Sequence, residues 1–121
     1  MEFGLSREQM LLQDSVNRYL TDHANLDRVR SFADDENDRG DDIWKGLSAL
    51  GLPALLIPES QGGIGLTLLD AAIVSEVFGT HVTPVPFIPS AVLAVMALRL
   101  AGDEETKAKY LPFIADGSLR I

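Results

Sequence analysis

No stretch of this chain alternates apolar and polar residues with a period of two, whereas apolar residues recur at three- and four-residue intervals along nearly all of it. That pattern predicts helices and excludes a sheet as the organising element. Ser6 followed by Gln9 forms a capping-box signature, and Leu12, Val16, Tyr19 and Leu20 then repeat on one stripe, so a helix is predicted over residues 6–22. Leu26, Val29 and Phe32 or Ala33 share a stripe of a second helix, from Leu26 to about Ala33. Asp41 or Asp42 is placed to cap a third through Ile43, Trp44, Leu47 and Leu50, which Gly51 stops. Thr67 with Asp70 caps a helix over Leu68–Phe78, apolar nearly all round and therefore expected in the middle of the domain. Ser90 is expected to cap a helix to Ala101. Asp103 caps the last helix, kinked at Pro112 and closed by Gly117. The expected fold is all-α, a compact bundle of five or six helices forming one domain over residues 1–121.

Between the predicted helices, PALLIP (Pro53–Pro58) is read as an extended buried connector. The next residues, ESQGGIGL, place three glycines within four positions. Glycine loses more backbone freedom on folding than other residues, so such a cluster implies that the chain must turn sharply or approach another backbone closely. Neither the P-loop ending nor the spacing and preceding strand of a dinucleotide fingerprint is present.

Charge and composition narrow the function. A net charge of -8 with only ten Lys and Arg residues argues against nucleic acid and against anionic lipid. The chain has no cysteine, which removes disulfides, thiol nucleophiles and Cys-based zinc sites and is compatible with a reducing compartment. The N-terminus MEFGLSREQM carries no leader or transit pattern, so a cytoplasmic location is expected. Pro84–Leu98 is the longest apolar run, but its prolines leave about ten clean residues against the roughly 20 that span a bilayer, so no membrane span is expected.

Three candidate chemistries fail on their residues. Set against a calcium-binding loop starting at Asp35, the acidic run DDENDRGDD puts Arg39 fifth and Gly46 twelfth, where oxygen ligands are needed, so a solvated turn and no metal site are expected. His23 and His81 have no carboxylate at motif spacing and are read as residues just past two helix ends. An acyl carrier needs its Asp-Ser pair at a helix start, but Asp14-Ser15 falls inside the first helix.

Two longer motifs are more informative. LGL...PE..GG.G at Leu50–Gly65 and G..E.K..YLP...G at Gly102–Gly117, in this order after SREQMLLQDSVNRYL, resemble the N-terminal helical domain of the flavin-dependent acyl-CoA dehydrogenases over Leu5–Leu119. The resemblance implies a three-domain FAD enzyme that oxidises acyl-CoA thioesters at the α and β carbons, with a middle β-domain and a C-terminal helical bundle beyond this chain. It implies that the glycine cluster is a packing turn. It assigns no catalytic residue and no flavin contact here, so this chain alone is expected to be inactive. Its contribution would be interdomain packing and part of the acyl-pocket wall, with Val85, Pro86, Pro89 and Leu93 as candidate substrate-binding residues by their spacing from Ala101-Gly102. The lead-in TPVPFIP is richer in proline than typical fatty-acyl members carry, which points either to an unusual acyl group or a wall serving a partner subunit, or to residues that are only core. The implied partners are an acyl-CoA and the remaining domains or a second subunit, in a homo- or heterotetramer. The alternative is a free-standing helical module that binds a partner or an acyl group without catalysis.

Overall fold

A computed structural model describes residues 3–121. Six α-helices appear among them: α1 (Arg7–His23), α2 (Leu26–Asp34), α3 (Asp41–Ala49), α4 (Leu68–His81), α5 (Val95–Ala101) and α6 (Glu104–Ala115). Short 3-10 turns at Leu52–Ala54 and Glu59–Gln61 connect α3 to α4, and a π-helical segment, Phe87–Ala94, runs directly into α5. No strand occurs among the described residues, and none of their helices is long and apolar enough to cross a membrane.

Local chemistry sets most helix starts. Ser6 Oγ accepts from Gln9 N–H at 3.1 Å while Gln9 Oε1 accepts from Ser6 N–H at 2.9 Å, the reciprocal pair expected of a capping box. Asn25 Oδ1 caps α2 through Arg28 N–H, and Asp103 Oδ1 caps α6 through Thr106 N–H. At α4, Asp70 Oδ2 accepts from both the N–H and the hydroxyl of Thr67, and Gln9 Nε2 donates to Asp70 Oδ1, joining the starts of α1 and α4. Burial pushes the Asp70 carboxyl up, but the donors from Thr67 and Gln9 outweigh it and hold it below its ordinary value.

Two expected caps are not made. Gly40, with φ +63°, precedes α3 in place of an aspartate cap, and Trp44 N–H donates to its carbonyl. Asp41 and Asp42 are instead engaged by Arg120 and Arg28, so ion pairing takes the carboxylates that would have capped. Ser90 lies inside the π-helical segment, fully buried, because the helix has already started behind it with Ser90 N–H donating to Pro86 O. Pro89 is tolerated there because its missing N–H falls in the first turn. Further on, α6 continues through Pro112 to Ala115.

The connector after α3 is buried, as expected, but coiled rather than extended. Leu52, Pro53, Ala54, Leu55, Leu56 and Ile57 are all buried, and a lone extended segment there would strand its peptide groups. Tight turns satisfy some of them, with Ala54 N–H donating to Gly51 O and Ile57 N–H to Ala54 O. The glycine cluster satisfies others by folding back: Ile64, Gly65 and Leu66 N–H donate to Ala54, Ile57 and Leu55 O at 3.0, 2.9 and 2.7 Å. Gly62 and Gly65 take φ of +86° and +71°, and a Cβ on Gly63 would sit 1.8 Å from Ile57 O. The cluster is therefore a packing turn, fixing α4 against the connector.

The core collects Val16 and Leu20 of α1, Ile43 and Leu47 of α3, the connector, Val74 and Val77 of α4, and Leu111 and Ile114 of α6. Although apolar all round, α4 is not buried all round: Leu68 and Leu69 at its start are exposed, and Ala71, Ile73, Val74, Val77 and Phe78 carry its contact with the core. Trp44 Nε1 donates to Gly117 O at 2.8 Å, tying α3 to the end of α6.

Gly63→Ala is expected to lower unfolding stability by about 3 kcal/mol, because the new methyl group overlaps a backbone carbonyl that hydrogen bonds hold in place. Gly79→Ala, in α4 with nothing within 4 Å of the added Cβ, should raise it by about 0.5–1 kcal/mol. Urea denaturation of both variants checks the pair.

Candidate functional site

The stripe of α2 has no fully buried residue: Val29 and Phe32 are half-buried although they point inward from an amphipathic helix. The reason is a cavity of about 670 Å³ beneath them, open at one side. Val29, Phe32 and Ala33 form one wall, Ser75, Phe78 and Gly79 of α4 a second, and the segment from Val82 to Pro89 closes the third. Phe78 and Phe87 meet edge to face at 5.0 Å between ring centres and hold the base of the cavity rigid. Its size falls within the range of small-molecule sites, about 300–1,000 Å³.

Backbone geometry at the end of α4 shapes the opening. Val82 has φ +52°, and among the described residues it is the one non-glycine in the left-handed region. A β-branched residue there carries strain of about 1–2 kcal/mol. The turn is held because Thr83 N–H donates to Phe78 O at 3.0 Å, closing the helix in Schellman fashion. The chain then reverses into Pro84, and Val85 N–H donates to Thr83 O.

Within this cavity the hydroxyls differ. Ser75 Oγ donates to Ala71 O at 2.8 Å and is satisfied inside its own helix. Thr83 Oγ1 is buried and has no hydrogen-bond partner, the one such side-chain atom among the described residues. A buried polar group left unpaired costs about 1–3 kcal/mol.

The acidic run between α2 and α3 is a largely exposed turn, as expected, but it is pinned by one cation. Arg28 donates to both oxygens of Asp38 (2.6 and 3.1 Å) and both of Asp42 (2.7 and 3.0 Å), so one guanidinium fixes α2, the turn and α3 together. The turn also meets the cavity rim: a Cβ on Gly40 would lie 3.2 Å from Pro84 O and 3.8 Å from the Phe32 ring. Hydrogen bonding to Arg28 is the chief cause that holds the Asp38 and Asp42 carboxyls below the ordinary carboxylate value. Among the described residues no group of three or more His, Asp and Glu side chains is arranged to hold a metal ion.

Of the four residues singled out by spacing, Val85 and Pro89 line the cavity. Pro86 precedes the π-helical segment, and Leu93 is 62% exposed on its outer side; neither is among the cavity's lining residues. Sequence reasoning missed the α2 and α4 walls and Thr83. The stripe Val29, Phe32, Ala33 was readable, but not that it faces a cavity. The histidines lie elsewhere, in the last turns of α1 and α4 rather than past them, with His81 Nε2 2.6 Å from Asn17 Oδ1.

Because the folded-state carboxyls of Asp38 and Asp42 are depressed, their ion pairing stabilises the fold above the unfolded carboxylate pKa, about 4, and that stability is lost as pH falls through the lower folded values. Arg28→Met is expected to flatten the fall in melting temperature below about pH 4 and to lower the neutral-pH value. Thermal unfolding followed by circular dichroism from pH 7 to pH 2 reads both effects.

Residues 6–118 match the family model described as the acyl-CoA dehydrogenase, N-terminal domain. The chain is 35% identical over 102 residues to the acyl-CoA dehydrogenase IpdE2 of Mycolicibacterium smegmatis, covering 84% of this chain and 32% of that protein. Among solved structures, a variant of the steroid acyl-CoA dehydrogenase Tcur3481-Tcur3483 superimposes with a TM-score of 0.85 at 35% identity, over 93% of this chain and 31% of that one. An acyl-CoA dehydrogenase of Bacillus anthracis complexed with FAD gives 0.79 at 28% identity, over 96% and 20%. The chain thus spans about a third of the length of the curated relatives that it matches first. The order of its helices, the packing turn at Gly62–Gly65 and the family match over residues 6–118 together make this chain a member of the acyl-CoA dehydrogenase family, corresponding to its N-terminal domain.

Proposed function

We propose that this chain acts as the N-terminal helical domain of an FAD-dependent enzyme that dehydrogenates an acyl-CoA thioester between its α and β carbons, and that the cavity beneath α2 receives part of a bulky acyl group. The observation that carries the second half is the cavity itself: a family member has about 670 Å³ of apolar space bordered by Val85 and Pro89, two of the residues that the family's motif spacing points to. Rigid aromatic and proline walls suit a ring-bearing group better than a flexible chain, since they supply a fixed contact surface at little entropic cost. The steroid dehydrogenase that the chain resembles lends weight to this choice.

The described residues of this chain bind the acyl group and exclude water, and none of them is assigned the transfer of a proton or hydride. The cavity walls are apolar with one free hydroxyl and no cation, which does not suit the pyrophosphate of a dinucleotide, so the flavin is assigned mainly to other parts of the protein. FAD, when bound, supplies the acceptor for the β-hydride, while a carboxylate elsewhere takes the α-proton. On this reading the isolated chain is inactive. The exposed Leu93 faces outward and, with the half-buried Pro86, would meet the remaining domains or a second subunit, in a homo- or heterotetramer.

Val85→Trp, which fills the cavity, is expected in the complete enzyme to lower the ratio of kcat/KM for 3-cyclohexylpropanoyl-CoA over butanoyl-CoA at least tenfold, and Pro89→Leu to shift it by a smaller factor. Steady-state assays with an artificial electron acceptor measure the ratio. An unchanged ratio in both variants overturns the cavity's role.

A further inference from the structure

The unpaired hydroxyl of Thr83 has an unusual position. Its backbone is committed on both sides, N–H to Phe78 O and carbonyl to Val85 N–H, each at 3.0 Å. It sits between the strained Val82 and Pro84, and a residue before proline is confined to extended conformations. The main chain therefore cannot turn to find the hydroxyl a partner. Neighbouring hydroxyls are occupied: Ser75 Oγ donates within α4, and the buried Ser90 Oγ accepts from Ile121 N–H. Yet Thr83 borders an apolar cavity that a valine of nearly the same volume would line without an orphaned donor. Rotation about χ1 by roughly 120° carries the hydroxyl to the place the methyl group held and the methyl to that of the Cβ hydrogen, so the hydroxyl can change direction without moving the backbone.

We infer that Thr83 is a specificity-determining residue of the cavity, and that the acyl group received there carries an oxygen, a ketone or a hydroxyl, to which the Thr83 hydroxyl hydrogen-bonds. This rests on the reading that the cavity takes part of the acyl group. A hydrogen bond inside an apolar site discriminates strongly, because the competitor lacking the oxygen leaves the hydroxyl orphaned.

The test compares 3-cyclohexylpropanoyl-CoA with its 3-oxo and 4-oxo ring analogues in the complete enzyme, reading dissociation constants by anaerobic calorimetry and KM by assay. The wild-type enzyme should bind at least one oxo ester fivefold or more tighter than the cyclohexyl ester. Thr83→Val should bring that preference to within twofold, Thr83→Ser should keep it, and Thr83→Ala should lose it as a second probe should the valine variant fold poorly. Binding of all three esters without preference, or a preference that survives in both hydroxyl-free variants, overturns the role of Thr83 and leaves the cavity reading intact. Failure to bind any ring-bearing ester while butanoyl-CoA is still oxidised overturns the cavity reading and this inference with it.

Discussion

The backbone of Gly63 lies so close to the carbonyl of Ile57 that no side chain fits between them, and the position of α4 follows from that approach. Because the glycine turn folds back, its N–H groups reach the carbonyls of Ala54, Leu55 and Ile57, giving three carbonyls of a fully buried connector their hydrogen-bond donors. The same turn delivers Thr67 and Asp70 to the start of α4, next to Gln9 of α1. The far end of α4 then falls where α2 and the proline-rich segment can enclose a cavity. Remove the close approach and the connector, the helix and the cavity wall lose their common register.

A second constraint acts on the cavity from outside. Arg28 cannot move without releasing two carboxylates, one on the acidic turn and one on α3, so α2 is held over a space that its own apolar contacts do not fill. The space opens to solvent on one side, and the Arg28 ion pairs and the left-handed Val82 lie along its rim.

Helix existence was legible because caps and periodicity are local. Ser6 with Gln9, Thr67 with Asp70, and Asp103 act within one turn of the chain, and all three appear as read. The readings that failed were those where a distant partner competes. Asp41 and Asp42 looked like caps but are taken by Arg120 and Arg28, and Ser90 looked like a helix start but is buried within a helix already under way. The PALLIP connector looked extended, but its burial demanded hydrogen bonds that turns provide.

By itself the sequence determined the helical class, most helix boundaries, the packing role of the glycine cluster and, through two motifs, the family, because each depends on residues within a few positions of one another. The family resemblance nominated Val85, Pro86, Pro89 and Leu93, counted back from Ala101-Gly102, and Val85 and Pro89 line the cavity. Only the tertiary structure decided that the stripe of α2 faces open space, that Phe78 and Phe87 close its base, and that Thr83 alone among the described residues keeps a buried hydroxyl unpaired. A cavity is a relation among elements far apart in sequence, and periodicity reports which face of a helix is apolar without reporting what, if anything, lies against it.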